Sequence, residues 1–105
     1  MIANTGLVTV LIVNWNAGDY LTRCLQTIKP DYTVVIVDNN SEDGSIDKVL
    51  LRFPAVKVLN SPVNLGFSAG NNLGLKEITT KYVLFLNPDT EIIDDAINVM
   101  VDFLA

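Results

Sequence analysis

Histidine is absent from the chain, and its 105 residues include one cysteine. Without histidine a Cys/His metal site is excluded, and Cys24 alone cannot close an internal disulfide. Basic residues are scarce: seven lysines and arginines against twelve acids give a formal net charge of -5 and a pI near 4.3. That balance offers no electrostatic footprint for nucleic acid or for an anionic membrane surface. No apolar run approaches the roughly 18 residues of a membrane span. The amino terminus, MIANTGLVTV, lacks a charged start, an apolar stretch and a small-residue cleavage site, so no secretory signal is read there and the cytoplasm is the expected location. The chain also lacks the Gly-Lys-Ser/Thr of a Walker motif and a GxGxxG after its first strand.

What the chain has in abundance is apolar sequence. Hydrophobic residues make up 50% and the mean hydropathy is +0.36, which fits strands covered on both faces. The length suits one domain, at the small end for an α/β architecture. Leu7 to Val13, Thr33 to Val37, Val56 to Leu59 and Val83 to Leu86 read as strands. Helices are expected from Asp19 to Ile28, from Ser45 as a cap to Phe53, from the Gly-rich NLGFSAGNNLG through Ile78, and from Asp94 or Asp95 onward. Their apolar faces are Leu21, Cys24, Leu25 and Ile28, then Ile46, Val49, Leu50 and Phe53, then Ile97, Met100, Val101 and Leu104. Cys24 is in phase with its neighbours, so it reads as a buried helix residue and not as a nucleophile. Strict alternation of strand and helix with short connections predicts a Rossmann-like α/β sandwich of three layers, a parallel sheet with helices on both faces.

Three strands end in polar clusters: Asn14 to Asn16, Asp38 to Ser41, and Asn87 to Asp89. In a parallel sheet these ends share one edge, where open α/β folds bind ligands. Each cluster supports two readings. Asp38 is an acceptor-only carboxylate suited to a pyrimidine imide or ribose hydroxyls, or an Asx turn into SEDGS. Trp15 is a stacking surface for a base, or a core residue. Asp89 is a ligand for Mg²⁺ or Mn²⁺ shared with substrate phosphates, or a turn and helix-cap residue. The glycines of NLGFSAGNNLG allow backbone amides to approach a phosphate.

VTVLIVNWN, VVIVDNNSEDGS, NLGFSAGNNLG and YVLFLNPDT, in this order and spacing, resemble the amino-terminal half of the inverting family-two glycosyltransferases, which have the GT-A fold with strand order 3-2-1-4. The resemblance covers essentially the whole chain. It implies binding of a nucleotide-diphosphate sugar, with Asp38 as the base-contacting acid, Trp15 near the nucleobase, and Val13, Gly70, Asn71 and Asn87 completing the nucleotide contacts. Asp89 takes the role of the metal-binding acid of the DxD motif. Asn87 stands where the family usually has the first acid of that motif, and Asn71 where many members have arginine. Both substitutions resemble a rhamnosyltransferase-like subset with GFSAGNN and LNPDT, which implies deoxythymidine-diphosphate rhamnose ahead of a uridine-diphosphate sugar.

The resemblance also sets expectations for what lies outside these motifs. The general base and the acceptor-binding part, for a saccharide or a lipid-linked glycan, are expected beyond Ala105, so residues 1–105 read as the donor-binding part, in polysaccharide biosynthesis at or near the cytoplasmic face of a membrane. Within the chain Glu91, Asp94 and Asp95 read as helix-start charges, not bases. A non-catalytic nucleotide-binding module of the same fold is the alternative. A nucleotidyltransferase fits less well, because VNWNAGD lacks the glycine-rich pattern expected after its first strand. Finally, YVLFL is expected to form an apolar sheet edge open to self-association.

Overall fold

The computed structural model describes residues 5–104. The amino-terminal residues 1–4 and Ala105, and with them part of the stretch searched for a secretory signal, lie outside the described residues. The elements alternate: β1 (Val8–Asn14), α1 (Asp19–Gln26), β2 (Thr33–Asp38), α2 (Ser45–Arg52), β3 (Lys57–Asn60), α3 (Phe67–Leu75), β4 (Tyr82–Leu86) and α4 (Ala96–Leu104). The strands form one parallel sheet in the order β3-β2-β1-β4, as expected.

β1 is the centre of the sheet and is buried at every residue. Its alternate side chains serve two cores. Val10 and Ile12 join Leu21, Cys24 and Leu25 of α1, Ile36 of β2, Val49 of α2 and Ile97 and Val101 of α4. Leu11 and Val13 join Val35 and Val37 on the opposite face, against Leu73 and Ile78. Three helices thus pack on one face and α3 on the other. Each fully buried Leu or Ile here, such as Leu11, Ile12, Leu21 and Ile36, stabilises the fold by about 1.5–3 kcal/mol.

α3 lies close to the sheet because its contact residues are glycines. A Cβ on Gly70 would stand 2.9 Å from Val13 Cγ1, and one on Gly74 would overlap the Leu11 side chain and reach 3.0 Å from Val37 Cγ2. The four-residue spacing puts both on one helical face.

Three local expectations are corrected. Ser45 does not cap α2: Gly44 holds the cap position in a left-handed conformation, and Ser45 is buried inside the first turn. Leu50 is 40% exposed, since Val49 takes the inward position of α2. In α4, Ile97 and Val101 face the core, whereas Met100 and Leu104, beside Tyr82 to Leu84 of β4, are 43% and 62% exposed.

Candidate functional site

The carboxyl ends of β1 and β2 are paired in register, Asn14 opposite Asp38, and the ladder runs on to Asn60 of β3. Asn14 has no exposed surface and Asp38 is 6% exposed. Asn14 Nδ2 donates to Asp38 Oδ1 at 3.0 Å, to Ser45 Oγ at 3.0 Å and to Ser41 Oγ at 3.2 Å. Ser41 completes the carboxylate's shell, its amide donating to Oδ2 at 3.1 Å and its hydroxyl to Oδ1 at 2.7 Å. The bond from the Ser41 amide spans three residues, one more than the Asx turn weighed above, and closes the loop after β2 onto the carboxylate. It coexists with the position at the strand end that the donor-binding reading requires.

The loops after β1 and β2 are fastened to each other. Asn16, at φ 49°, donates its amide to Ser41 Oγ at 2.9 Å and accepts the Glu42 amide on its side chain at 2.8 Å. Asp43 accepts the Gly18 amide at 2.9 Å and the Ser45 amide at 3.0 Å. Burial pushes the Asp43 carboxyl up, but the hydrogen bonds from Ser45 and Gly18 outweigh it and hold its pKa below the usual carboxylate value. This zipper fixes the backbone that follows Trp15, a residue 56% exposed. Of its two readings, core residue and open flat surface, the second is the observed one. A polar cleft of about 350 Å³ adjoins the zipper, bordered by Asp38, Ser41, Glu42 and Asn60.

α3 enters from the other side. Gly66 precedes it at φ 82° and ψ 176°, a backbone that only glycine adopts readily, and the helix begins with no side-chain cap and no acid in its first turn. Gly70 presses on Val13 and Asn39, and Asn71 beside it is 8% exposed. Gly70 is therefore brought against Val13 and Asn39, with Asn71 adjacent to Gly70 in the helix, whereas the Asp38 side chain is bonded to Asn14, which also bonds Ser45 at the start of α2.

The Asn87–Asp89 turn stands apart from that network among the described residues. Leu86 pairs with Ile12, so the turn leaves the sheet beside the end of β1. The Thr90 amide donates to Asn87 O at 3.0 Å, and the Cys24 thiol of α1 donates to the same carbonyl at 3.9 Å. Asn87 and Asp89 are exposed. Burial, then the nearby Asp89 and Glu91 carboxylates, push the Cys24 thiol up to about 11, which leaves it protonated and unreactive near neutrality, as its helical phase predicts. No group of three acidic, histidine or cysteine side chains among the described residues is arranged to hold a metal. Asp89 is a single hard oxygen donor.

Two residues with central places escaped the sequence reading. Asn14 is the hub of the buried polar network, yet it looked like one of three loop residues. Asn39, 2% exposed, bonds to the loop ahead of α3 through its side chain. The only local signal for either was a polar residue ending an apolar run, and neither set of partners follows a periodic spacing.

The family model for glycosyl transferase family 2 matches residues 9–105. The chain is 30% identical over 97 residues to the teichoic acid poly(glycerol phosphate) polymerase of Staphylococcus epidermidis, covering 85% of this chain and 14% of that protein. It is 24% identical over 113 residues to the N-acetylglucosaminyl-diphospho-decaprenol L-rhamnosyltransferase of Mycobacterium tuberculosis, covering 93% and 37%. The chain therefore spans less than half the length of these relatives. Among solved structures, the mannosyltransferase PcManGT of Pyrobaculum calidifontis, in complex with GDP-Man and Mn²⁺, superposes with a TM-score of 0.84 at 22% identity, over 94% of this chain and 32% of that one. S. aureus TarS in complex with UDP-GlcNAc superposes with a TM-score of 0.81 at 24% identity, over 92% and 30%. The structural likenesses carry the GT-A fold and the family match carries membership: the chain belongs to glycosyl transferase family 2.

Proposed function

We propose that residues 1–105 are the donor-binding part of an inverting glycosyltransferase that takes a nucleotide-diphosphate sugar, deoxythymidine-diphosphate rhamnose or a uridine-diphosphate sugar. The observation that carries the reading is the convergence of Asp38, Trp15 and the uncapped start of α3 at one sheet edge. An acceptor-only carboxylate, an open aromatic face and unpaired helix amides suit, in that order, a pyrimidine imide or ribose hydroxyl, a base ring and a diphosphate. Val13 and Gly70 line the same ground, and Asn71 and Asn87 offer carboxamides in place of the charges usual at their positions. The rhamnosyltransferase relative and the GFSAGNN and LNPDT sequences support the thymidine donor; the UDP-sugar complex of TarS supports the uridine one.

A divalent cation fits the residues present. Asp89 is exposed at the strand-end turn, and Mg²⁺ or Mn²⁺ commonly combines one or two protein carboxylates with substrate phosphate oxygens. Asp89 would hold the ion, Asn87 would offer its side-chain oxygen, and the ion would neutralise the departing diphosphate. The Mn²⁺ bound by PcManGT supports this use.

Transfer to an acceptor hydroxyl, on a saccharide or lipid-linked glycan, then needs a general base and an acceptor surface supplied from outside residues 1–105. No helix among the described residues is long and apolar enough to cross a membrane. We place the chain on the cytoplasmic side, in polysaccharide biosynthesis. The unpaired outer edge of β4 further supports association with a second copy. Calorimetry with uridine, thymidine and purine diphosphates, with and without Mn²⁺, tests the donor reading: pyrimidine preference is expected, and equal purine binding would overturn the role of Asp38.

A further inference from the structure

Asn39 follows Asp38 directly, and its carboxamide works in both directions. Oδ1 accepts the Leu65 amide at 3.3 Å, and Nδ2 donates to the Gly66 carbonyl at 3.0 Å. Its own amide donates to Asn14 O at 2.8 Å, extending the β1–β2 ladder by one residue. The Gly66 carbonyl also accepts the Gly70 amide at 3.1 Å, the first ladder bond of α3. One buried side chain therefore joins the end of β2 to the entry of α3, on the face of the sheet opposite α1 and α2. Residues 62–69 are exposed; Ser61, whose amide donates to Asp38 O at 2.9 Å, holds the start of the loop by donating its hydroxyl to Val63 O at 2.6 Å, the Gly66 amide to Asn64 Oδ1 at 2.9 Å shapes its middle, and Asn39 ties its helix end.

We infer that Asn39 is a positioning residue for the donor, setting the start of α3 at a fixed height above Asp38 so that base and diphosphate are met together. The inference rests on the nucleotide-sugar reading above. Without the clamp, the loop and the first turn of α3 must be ordered on binding, and that ordering weakens the contribution of the diphosphate. Contacts to the nucleoside, made by Asp38 and Trp15 on the other side, do not depend on it.

Asn39→Ala in the 105-residue protein tests the inference, with two readouts. In the free protein, amide exchange at Leu65 and Gly70 is expected to accelerate while Val10 to Val13 keep wild-type protection. In titrations with thymidine and thymidine diphosphate, the affinity gained from the diphosphate is expected to fall about ten-fold, equivalent to 1.4 kcal/mol, with nucleoside affinity unchanged. Unchanged exchange would overturn the clamp. Faster exchange with the diphosphate gain intact would overturn the positioning role and leave Asn39 purely structural. A wild-type protein that binds no nucleotide but shows Leu65 protected would overturn the donor reading instead. Should Asn39→Ala not fold, Asn39→Asp keeps the acceptor for Leu65 and removes the donor to Gly66, and a loss confined to the diphosphate gain is expected.

Discussion

Asn14 Nδ2 stands 3.0 Å from Asp38 Oδ1 across two paired strand ends, and both side chains are withdrawn from water. Asn14 and Ser41 surround this carboxylate with hydrogen-bond donors at the carboxyl edge of the sheet. Asn14 Oδ1 is buried without a hydrogen-bond partner, so the amide is oriented by what its nitrogen serves. The network is built around the acid.

Asp38→Ala is accordingly expected to act twice. Nucleotide affinity should fall by about 1.5–3 kcal/mol whether or not Mn²⁺ is present, the range for a hydrogen bond to a charged group. Stability should fall too, by about 1–3 kcal/mol, because the Asn14 and Ser41 donors lose their buried acceptor. Calorimetry and urea denaturation separate the two effects, and a variant that loses stability but keeps affinity would reduce Asp38 to a structural role in the strand-end network.

Asp89→Ala is expected to do the opposite. The residue is exposed, so the melting temperature should barely move, while the metal-dependent part of nucleotide affinity disappears. The Cys24 thiol should also titrate at a lower pH, since Asp89 is the charged neighbour that contributes most to raising it. A large fall in melting temperature would instead show that Asp89 holds the turn after β4, since α4 begins only at Ala96.

Cys24 gives a pH prediction whose sign is fixed by its environment. Its folded pKa is raised from 9.0 to about 11, so the native state holds the thiol proton more tightly than the unfolded chain does. The resulting stability is fully present below pH 9.0 and is lost as pH rises toward about 11. Urea denaturation across that window should show the decline, and Cys24→Ala should flatten it. At pH 8 a thiol reagent should label the protein only after denaturant is added; rapid labelling of the native state would contradict the burial.

The four strands and most helix starts were legible because apolar runs and periodic faces are local properties, whereas the strand order was implied by the family resemblance. The convergence of the polar clusters followed from topology alone. Asn39 and Asn14 were not legible in the same way, since their partners lie 24 to 31 residues away and neither pairing leaves a pattern in the intervening chain. The exposure of Met100 and Leu104 was missed because helical phase identifies an apolar face but not whether another element covers it. Gly74 was also read as phosphate chemistry where the structure makes it a packing residue. Gly74→Ala should therefore cost about 1–3 kcal/mol of stability through overlap with Leu11. A chemical-denaturation midpoint unchanged from wild type would refute that tight approach.

The two sheet edges differ, and the last prediction follows from the difference. β3 is four residues long and carries Lys57, paired with Glu77 at 3.4 Å, a short and charged edge of the kind that discourages further pairing. β4 is bonded on one side to β1, its other side is unpaired among the described residues, and Phe85 is 47% exposed with Val99 and Phe103 of α4 at 63% and 89%. The chain is therefore expected to self-associate at high concentration and to transfer no sugar, because the roles proposed above engage Asp38 with the nucleotide and Asp89 with a metal and leave neither as a base. Sedimentation across a concentration series should show a mass increase that Phe85→Lys reverses, since a charge beside an open edge opposes pairing. A monomer at all concentrations would show the edge to be protected as it stands, and nucleotide-sugar turnover with simple acceptors would place a working base inside residues 1–105.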